Sequence, residues 1–161
     1  MSAKLLGADH ATVTSPAPRH AWASYVERDE SALPMQTPAW LDCLCDTWSF
    51  RDASRLYRFE SGLEVVVPMV SRRGWPARLI AEESLPRGGM GGAVVSGGSL
   101  RVDQARSIFE DLQRRSALRV AVRFSPMSSP AWGAALPGGF RSAERSTQIV
   151  DIDGGYGAVW G

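Results

Sequence analysis

Apolar residues between positions 101 and 116 recur three and four residues apart, as they do on the buried side of a helix. The members of this set are Val102, Ala105, Ile108, Phe109 and Leu112. A second helix is predicted over residues 38–48, because Thr37 is a favourable N-cap and proline suits the first helical position. Its apolar stripe predicts a face packed on a core and consists of Leu41, Leu44 and Trp48.

Two apolar runs, residues 55–60 and 63–71, predict an antiparallel hairpin. Ser61 and Gly62 lie between them, and glycine readily adopts the positive φ that a tight hairpin turn requires. Pro68 has no N–H for a ladder hydrogen bond, so the second strand is expected to be bulged or hydrogen-bonded on one side there. A third strand over residues 77–81 is expected to continue the meander.

Shorter patterns complete the predicted element order. Strands are expected at residues 12–14, 118–124 and 146–152, and helices at 19–28 and 130–136, the latter behind an N-cap at Ser129. Hairpin strands mixed with helices suit an α+β fold, with a mixed and largely antiparallel sheet flanked by helices, more than a regular parallel array. We expect one shared core containing Leu41, Leu44, Val65, Val67, Ile108, Leu112 and Val122.

Composition excludes several classes of function. The chain has 161 residues, of which 44% are hydrophobic and 22% charged, the size and balance of one domain that folds without disulfides or metal. Eighteen basic and 17 acidic residues leave a formal charge of +1, with no run of five or more like charges, so we expect neither DNA binding nor electrostatic attraction to an anionic membrane. The sequence has no signal-peptide core and no apolar stretch of the ~20 residues that a membrane helix needs. A cytoplasmic protein without membrane insertion is therefore expected.

The cysteines and histidines match no metal or catalytic pattern. Cys43 and Cys45 are two positions apart on a predicted helix and cannot pair with each other. Both histidines lie upstream of them, which is no zinc spacing, and nothing places a nucleophile against either one. We therefore expect buried or half-buried free thiols and no metal site.

Two other pairs of residues are interpreted as structural. Glu82 and Glu83 are neighbours on an extended segment and should point to opposite faces, where we expect them to be solvated charges. Trp40 and Trp48 lie close to the apolar stripe of the second predicted helix and are interpreted as core residues more readily than as a stacking platform.

Five segments, taken in order, carry a resemblance to a known family. They are Gln36-Thr37-Pro38-Ala39-Trp40, the hairpin ending in Val67-Pro68-Met69, the amphipathic helix from Arg101, the strand ending in Arg123-Phe124-Ser125-Pro126, and Gly138-Gly139-Phe140 before residues 147–152. Together they resemble the first domain of FemAB-type proteins, a group of GNAT-like acyltransferases. The resemblance implies one GNAT-like domain over residues 1–161, with 154–161 beginning the linker to a second, missing domain.

The resemblance also implies a function. Relatives of this type transfer acyl or aminoacyl groups to cell-envelope or polysaccharide-related acceptors, so this chain would be the amino-terminal half of such a transferase and inactive alone. The acyl-CoA or aminoacyl-tRNA donor would bind the missing carboxy-terminal domain, which leaves no cofactor and no metal for this chain. A small-molecule or glycan-linked acceptor would contact Gln36, Trp40, Arg123 and Ser125. No catalytic residue is assigned.

Two departures from the family pattern bear on the acceptor. Residues 41–45 contain no lysine where relatives that bind a nucleotide-linked muropeptide place a cation against phosphate. Ser125 stands where the family often has an aspartate and cannot serve as an anionic anchor. Both departures count against a muropeptide acceptor.

Residues 87–92, Arg-Gly-Gly-Met-Gly-Gly, are similar to the loop on which GNAT enzymes bind the pyrophosphate of acetyl-CoA. Met90 occupies the required first glycine, and the next predicted helix does not follow directly, so a bulged strand or a loop lining the cleft is favoured over phosphate binding. Two alternatives to the transferase half stay open. One is a non-catalytic binding or scaffolding domain; the other is a stand-alone acetyl-CoA-dependent N-acetyltransferase, which Met90 disfavours.

Overall fold

The computed structural model describes residues 9–86, 91–125, 127 and 130–143, and this part of the chain forms an α+β fold. Its helices are α1 (Arg19–Val26), α2 (Pro38–Thr47), α3 (Val102–Gln113) and α4 (Ala131–Ala135). Its strands are β1 (Ala11–Thr14), β2 (Phe50–Asp52), β3 (Arg55–Phe59), β4 (Glu64–Val67), β5 (Val70–Arg72), β6 (Ala81–Glu83), β7 (Val94–Val95) and β8 (Arg119–Ala121). The predicted fold class is confirmed at this level. The predictions for residues 146–152, for 154–161 and for Ser129 lie outside the described residues.

The strands form two four-stranded sheets in place of the single sheet that was expected. The first has the order β1-β3-β4-β7 and the second the order β2-β5-β6-β8. Pairing is antiparallel between the named strands except for β6 with β8, which is parallel and reaches across the segment containing α3. The mixed, largely antiparallel character of the strands is therefore confirmed, and the prediction of one continuous sheet is wrong.

One long hairpin bends to supply strands to both sheets. The pairing register does not change across the bend, because Asp52 pairs with Val70 on one side and Arg55 with Val67 on the other. Pro68 lies at the bend and has no N–H to donate, so the ladder is interrupted there without the extra residue of a bulge. At the far end of the hairpin Gly62 has a φ of +88°, as the turn prediction requires.

The predicted strand at residues 77–81 is wrong. Ala77–Leu79 forms a 3-10 helix, in which the N–H of Leu79 donates to the carbonyl oxygen of Pro76 at 2.9 Å. The strand begins only at Ala81, where β6 pairs with β5. A local turn therefore takes up most of the apolar run that suggested a strand.

The first sheet divides the core into two clusters. Alternate residues of a strand point to opposite faces, so the pair Tyr57 and Val65 lies with α3 and α4, while the pair Leu56 and Val66 lies with α1 and α2. The prediction of one shared core is therefore wrong. Burial itself is confirmed for six of the seven predicted core residues, and the seventh, Val122, is only half-buried.

Helix α2 begins as predicted and differs at its other end. The hydroxyl oxygen of Thr37 accepts a hydrogen bond from the N–H of Trp40 at 3.2 Å, which confirms the N-cap. Leu41 and Leu44 are buried, but the helix ends at Thr47. Trp40 and Trp48 are 41% and 39% exposed, so the interpretation of both as core residues is wrong.

Candidate functional site

The second sheet carries an open cleft of about 180 Å³ on the face that also packs against α1 and α2. The cleft is lined by Phe50, Val70, Arg72, Ala81, Glu83 and Pro86. Phe50 pairs with Arg72 across neighbouring strands, and Val70 pairs with Glu83, so all four side chains share this face. The inner end of the cleft is apolar, because Phe50 and Val70 belong to the buried cluster behind it.

The charged groups of the cleft are unequally paired. The guanidinium of Arg72 lies 5.4 Å from the centroid of the Phe50 ring and forms no ion pair with another described residue. The carboxylate of Glu83 is paired with Arg119 at 3.0 Å. Arg72 is therefore the cation that this cleft offers to a ligand. As diagonal neighbours on adjacent antiparallel strands, Arg72 and Glu83 have backbones about 7–8 Å apart.

The sequence-predicted site residue Gln36 lies away from this cleft and is buried. Its side-chain nitrogen donates to the carbonyl oxygens of Gly91 at 3.3 Å and Ala93 at 3.2 Å, and its side-chain oxygen accepts from the N–H of Leu33 at 2.7 Å. These contacts join the entry to α2 to the segment before β7. The amide of Gln36 therefore holds two parts of the backbone together.

Arg123, the second predicted site residue, lies close to Gln36 and reaches the cleft. Its carbonyl oxygen accepts from the N–H of Gly91 at 3.0 Å, and Gly91 in turn is bound by Gln36. The Arg123 guanidinium donates to the carbonyl oxygen of Leu85 at 2.9 Å and lies 3.9 Å from Glu83. The structure thus brings two predicted site residues to one junction, and one of them contacts a residue that lines the cleft.

The other two predicted site residues have different surroundings. Trp40 is exposed on the first turn of α2. Ser125 is 6% exposed, and its hydroxyl oxygen accepts a hydrogen bond from the N–H of Met127 at 3.2 Å. Neither residue lines the cleft. Substrate contact by these two residues stays a prediction.

We expect the Gln36→Leu variant to be less stable by about 1–3 kcal/mol, because it leaves buried backbone groups without their partners while keeping the side-chain volume. Urea unfolding measures this change. Gln113→Leu is the control, since Gln113 is exposed at the end of α3 and its replacement should change stability by less than about 0.5 kcal/mol. Equal stabilities of the two variants would contradict the structural role of Gln36.

Close packing at Gly91 argues against phosphate binding at this end of the glycine-rich segment. A Cβ at this position would lie 3.1 Å from the Ser84 hydroxyl oxygen and 3.2 Å from the Arg123 carbonyl oxygen, so only glycine fits without a shift of its neighbours. The N–H of Gly91 is already bound to Arg123. That amide is therefore committed to the isolated parallel bridge between Gly91 and Phe124, and is not available to a phosphate.

Glu82 corrects the interpretation of the acidic pair. Glu82 and Glu83 do point to opposite faces, but Glu82 is only 3% exposed and accepts two hydrogen bonds from Arg115, at 2.7 and 2.8 Å. The expectation of a solvated charge is wrong for this residue. Arg115 follows α3, and the ion pair fastens this helix to the second sheet.

The cysteine thiols and the possible metal-binding side chains of the described residues form no further candidate site. Cys43 and Cys45 are free thiols; Cys45 is half-buried as expected, but Cys43 is exposed, so the expectation of burial is wrong for Cys43. Burial raises the pKa of the Cys45 thiol, which disfavours its reactive thiolate form. Within residues 9–86, 91–125, 127 and 130–143, no group of three or more His, Cys, Asp and Glu side chains is arranged to hold a metal ion.

The sequence did not single out the cleft residue Arg72, and it indicated only a solvated charge for Glu83. Both alternate with apolar residues that point to the same face, Arg72 two positions after Val70 and Glu83 two positions after Ala81. The sequence signal for this cleft is a charged residue at the end of an apolar alternation. The sequence did not show that the strands after Pro68 form a separate sheet, so this signal could not be assigned to an open sheet face.

Compared with models of protein families, with curated proteins and with solved structures, the chain shows no significant match. No helix of the described part is both long enough and apolar enough to cross a membrane.

Proposed function

We propose that this chain is the acceptor-binding half of a FemAB-type acyl- or aminoacyltransferase, with a GNAT-like fold, and that the acceptor binds in the cleft on the second sheet. The observation that carries the proposal is the exposed Arg72 cation beside the Glu83 carboxylate on one open sheet face. The five sequence segments that resemble the family supply the reaction class.

The chemistry of the cleft indicates the class of acceptor. A carboxylate or phosphate would pair with Arg72, and the ammonium form of an acceptor amine would pair with Glu83. Phe50, Val70 and Ala81 provide an apolar floor for a short aliphatic part between the two charged ends. The cleft therefore suits a small zwitterion, such as an amino acid or the end of a short peptide.

The size of the cleft supports a role in acceptor binding and not in donor binding. At about 180 Å³ it is smaller than the pockets of about 300–1,000 Å³ that hold cofactor-sized ligands. Acyl transfer needs the donor and the acceptor held within reacting distance, and this positioning can supply about 7–11 kcal/mol of the barrier. A second surface that binds the donor would complete the site, so the chain alone is expected to be inactive.

The proposal predicts that the dipeptide alanyl-alanine binds in the cleft, with a dissociation constant of about 1–10 mM for a ligand of this size. An NMR titration of the whole chain should shift the backbone amide signals of Phe50, Arg72 and Glu83. Arg72→Gln and Glu83→Gln should each weaken binding at least about tenfold, because each removes one charge partner of the zwitterion. N-acetyl-alanyl-alanine, which lacks the ammonium group, should bind the wild-type chain at least about tenfold more weakly than alanyl-alanine does.

Arg51→Gln is the matched control, since Arg51 is exposed on the opposite face of the same sheet and should leave the affinity unchanged. Absence of amide shifts at 50 mM dipeptide, a concentration about fivefold above the expected range, would contradict the cleft as the acceptor site. A dissociation constant for acetyl-CoA tighter than about 100 μM, or roughly 5.5 kcal/mol, would instead favour the stand-alone acetyltransferase.

A non-catalytic binding domain is the second candidate, because the same cleft could bind a zwitterion without any transfer. Activity of a longer protein that includes a donor-binding domain separates the two functions. In that protein Arg72→Gln should raise the KM for the acceptor and leave donor affinity unchanged if the chain is a transferase half.

A further inference from the structure

Two loops meet at one end of the second sheet and expose large apolar side chains. The loops are residues 73–80, between β5 and β6, and residues 114–118, between α3 and β8. They are joined where the N–H of Leu118 donates to the carbonyl oxygen of Leu79 at 2.8 Å. Trp75 is 71% exposed, Ile80 is 56% exposed and Leu118 is 88% exposed, and side chains this exposed project from the surface. We call these loops and the strand ends Arg72 and Arg119 the basic tip.

Charge is segregated at the basic tip. Residues 72–81 and 112–122 contain six arginines and no acidic residue. Three of these arginines are compensated by acids outside the two stretches, since Arg114 pairs with Glu110, Arg115 with Glu82 and Arg119 with Glu83. The remaining three, Arg72, Arg73 and Arg78, form no ion pair with a described residue, and the guanidinium of Arg73 donates to the carbonyl oxygens of Phe50 at 2.6 Å and of Cys45 at 3.2 Å. The tip is therefore cationic, although the whole chain has a formal charge of only +1.

The apolar and cationic groups are arranged side by side. The Arg78 guanidinium lies 5.3 Å from the centroid of the Trp75 ring, so the exposed aromatic face and the charge belong to one surface. Projecting apolar side chains beside an arginine that has no ion pair suit a soft surface that admits the side chains and carries negative charge. The interface of an anionic bilayer has both properties: tryptophan favours the headgroup level, and anionic lipids attract basic residues.

We propose that the basic tip docks the protein reversibly on the surface of a membrane that contains anionic phospholipid. Trp75, Ile80 and Leu118 enter the interface, while the arginines meet the headgroup phosphates. A nucleic acid explains these observations less well, because its bases stack on aromatic side chains and give no role to exposed Ile80 and Leu118. This inference shares Arg72 with the proposed acceptor site, but it rests on Trp75, Ile80, Leu118 and Arg78, none of which lines the cleft.

Flotation of the whole chain with vesicles tests the proposal. One set of vesicles contains phosphatidylcholine alone, and the other also contains roughly 30% phosphatidylglycerol, the anionic lipid that attracts basic residues. The chain should float with the anionic vesicles and stay in solution with the neutral ones. Binding should weaken as NaCl is raised from about 0.1 to about 0.5 M, because salt screens the arginines. Equal binding to both vesicles, or no binding to either, would overturn the proposal.

Variants locate the contact. Trp75→Ser combined with Leu118→Ser should weaken vesicle binding at least about tenfold, and Arg78→Gln should weaken it roughly fivefold. The controls are Trp40→Ser, a tryptophan exposed elsewhere, and Arg106→Gln, an exposed arginine on α3, and both should bind like the wild type. Circular dichroism checks that all variants are folded.

A polyanion comparison decides between a lipid surface and general anion binding. Binding of heparin and of polyuridylate is measured at the same salt concentration for the wild type and for the double variant with Trp75→Ser and Leu118→Ser. Binding to vesicles that depends on the two apolar residues, with no such dependence for the polyanions, supports the proposal. Vesicle binding that survives the loss of both apolar side chains would overturn it.

Discussion

The Arg115→Met variant is expected to lose about 3–5 kcal/mol of unfolding free energy, one of the two largest effects that the structure predicts. The reason is that Glu82, only 3% exposed, would keep its charge in the core without the guanidinium that now binds both of its oxygens. The hydrogen bonds to Glu82 also raise the pKa of Arg115, so its guanidinium stays charged at neutral pH. Urea unfolding at pH 7 measures the loss.

A neighbouring ion pair supplies the control. Arg114 lies 3.6 Å from Glu110, with side chains 75% and 49% exposed, and such surface pairs contribute little. Arg114→Met should therefore change stability by less than about 0.5 kcal/mol. The double variant Arg115→Met and Glu82→Met should recover most of the loss, because it leaves no buried charge unpaired. If the double variant were no more stable than Arg115→Met alone, the unpaired carboxylate would not be the cause.

The surroundings of Arg115 explain why this point of the fold is sensitive. One turn earlier on α3, Asp111 accepts hydrogen bonds from the Tyr57 hydroxyl at 2.7 Å and from the Arg55 guanidinium at 3.1 Å. Burial, and after it the nearby Asp111 charge, raise the pKa of the Tyr57 phenol well above its usual range, so this hydroxyl stays protonated and donates. Two adjacent polar contacts thus fasten α3, one to each sheet.

The Phe109→Ala variant is expected to lose about 3–5 kcal/mol, because it opens a cavity at the centre of an aromatic cluster. Phe109 is 2% exposed, and its ring centroid lies 6.0 Å from that of Phe124, 5.6 Å from that of Trp132 and 5.1 Å from that of Phe140. The four rings come from α3, α4 and the segments around α4, and they pack together in the core cluster between α3 and the first sheet. Thermal and urea unfolding measure the change.

Val102→Ala is the control for this helix. Val102 belongs to the same apolar pattern in the sequence but is 40% exposed in the structure, so its truncation should change stability by less than about 0.5 kcal/mol. A loss below about 1.5 kcal/mol for Phe109→Ala would show that the cluster collapses around the missing ring or is loosely packed.

Features that depend on neighbouring residues could be predicted from the sequence. The side of α3 that contains Ile108 and Leu112 is buried as its periodicity indicates, and the cap at Thr37 forms as expected. The hairpin turn at Gly62 also has the predicted position, because its backbone angle is a local requirement. In each case the information lies within a few residues along the chain.

The candidate site could be predicted only in part. The resemblance implied acceptor contacts for both Arg123 and Gln36, and Arg123 does lie 3.9 Å from Glu83 in the cleft wall. The amide of Gln36 is instead bound to the backbone of Gly91 and Ala93. The sequence could not show whether either side chain faces a ligand or the protein's own backbone.

What the sequence by itself determined about this protein is its class and most of its local elements, since propensity, capping and turn chemistry act over short distances. Only the tertiary structure decided how the strands divide at Pro68, that Glu82 is buried against Arg115, and that two loops distant in sequence meet in the basic tip. These features join residues that are tens of positions apart. The net charge of +1 could not predict the basic tip, because it sums charges that the fold separates in space.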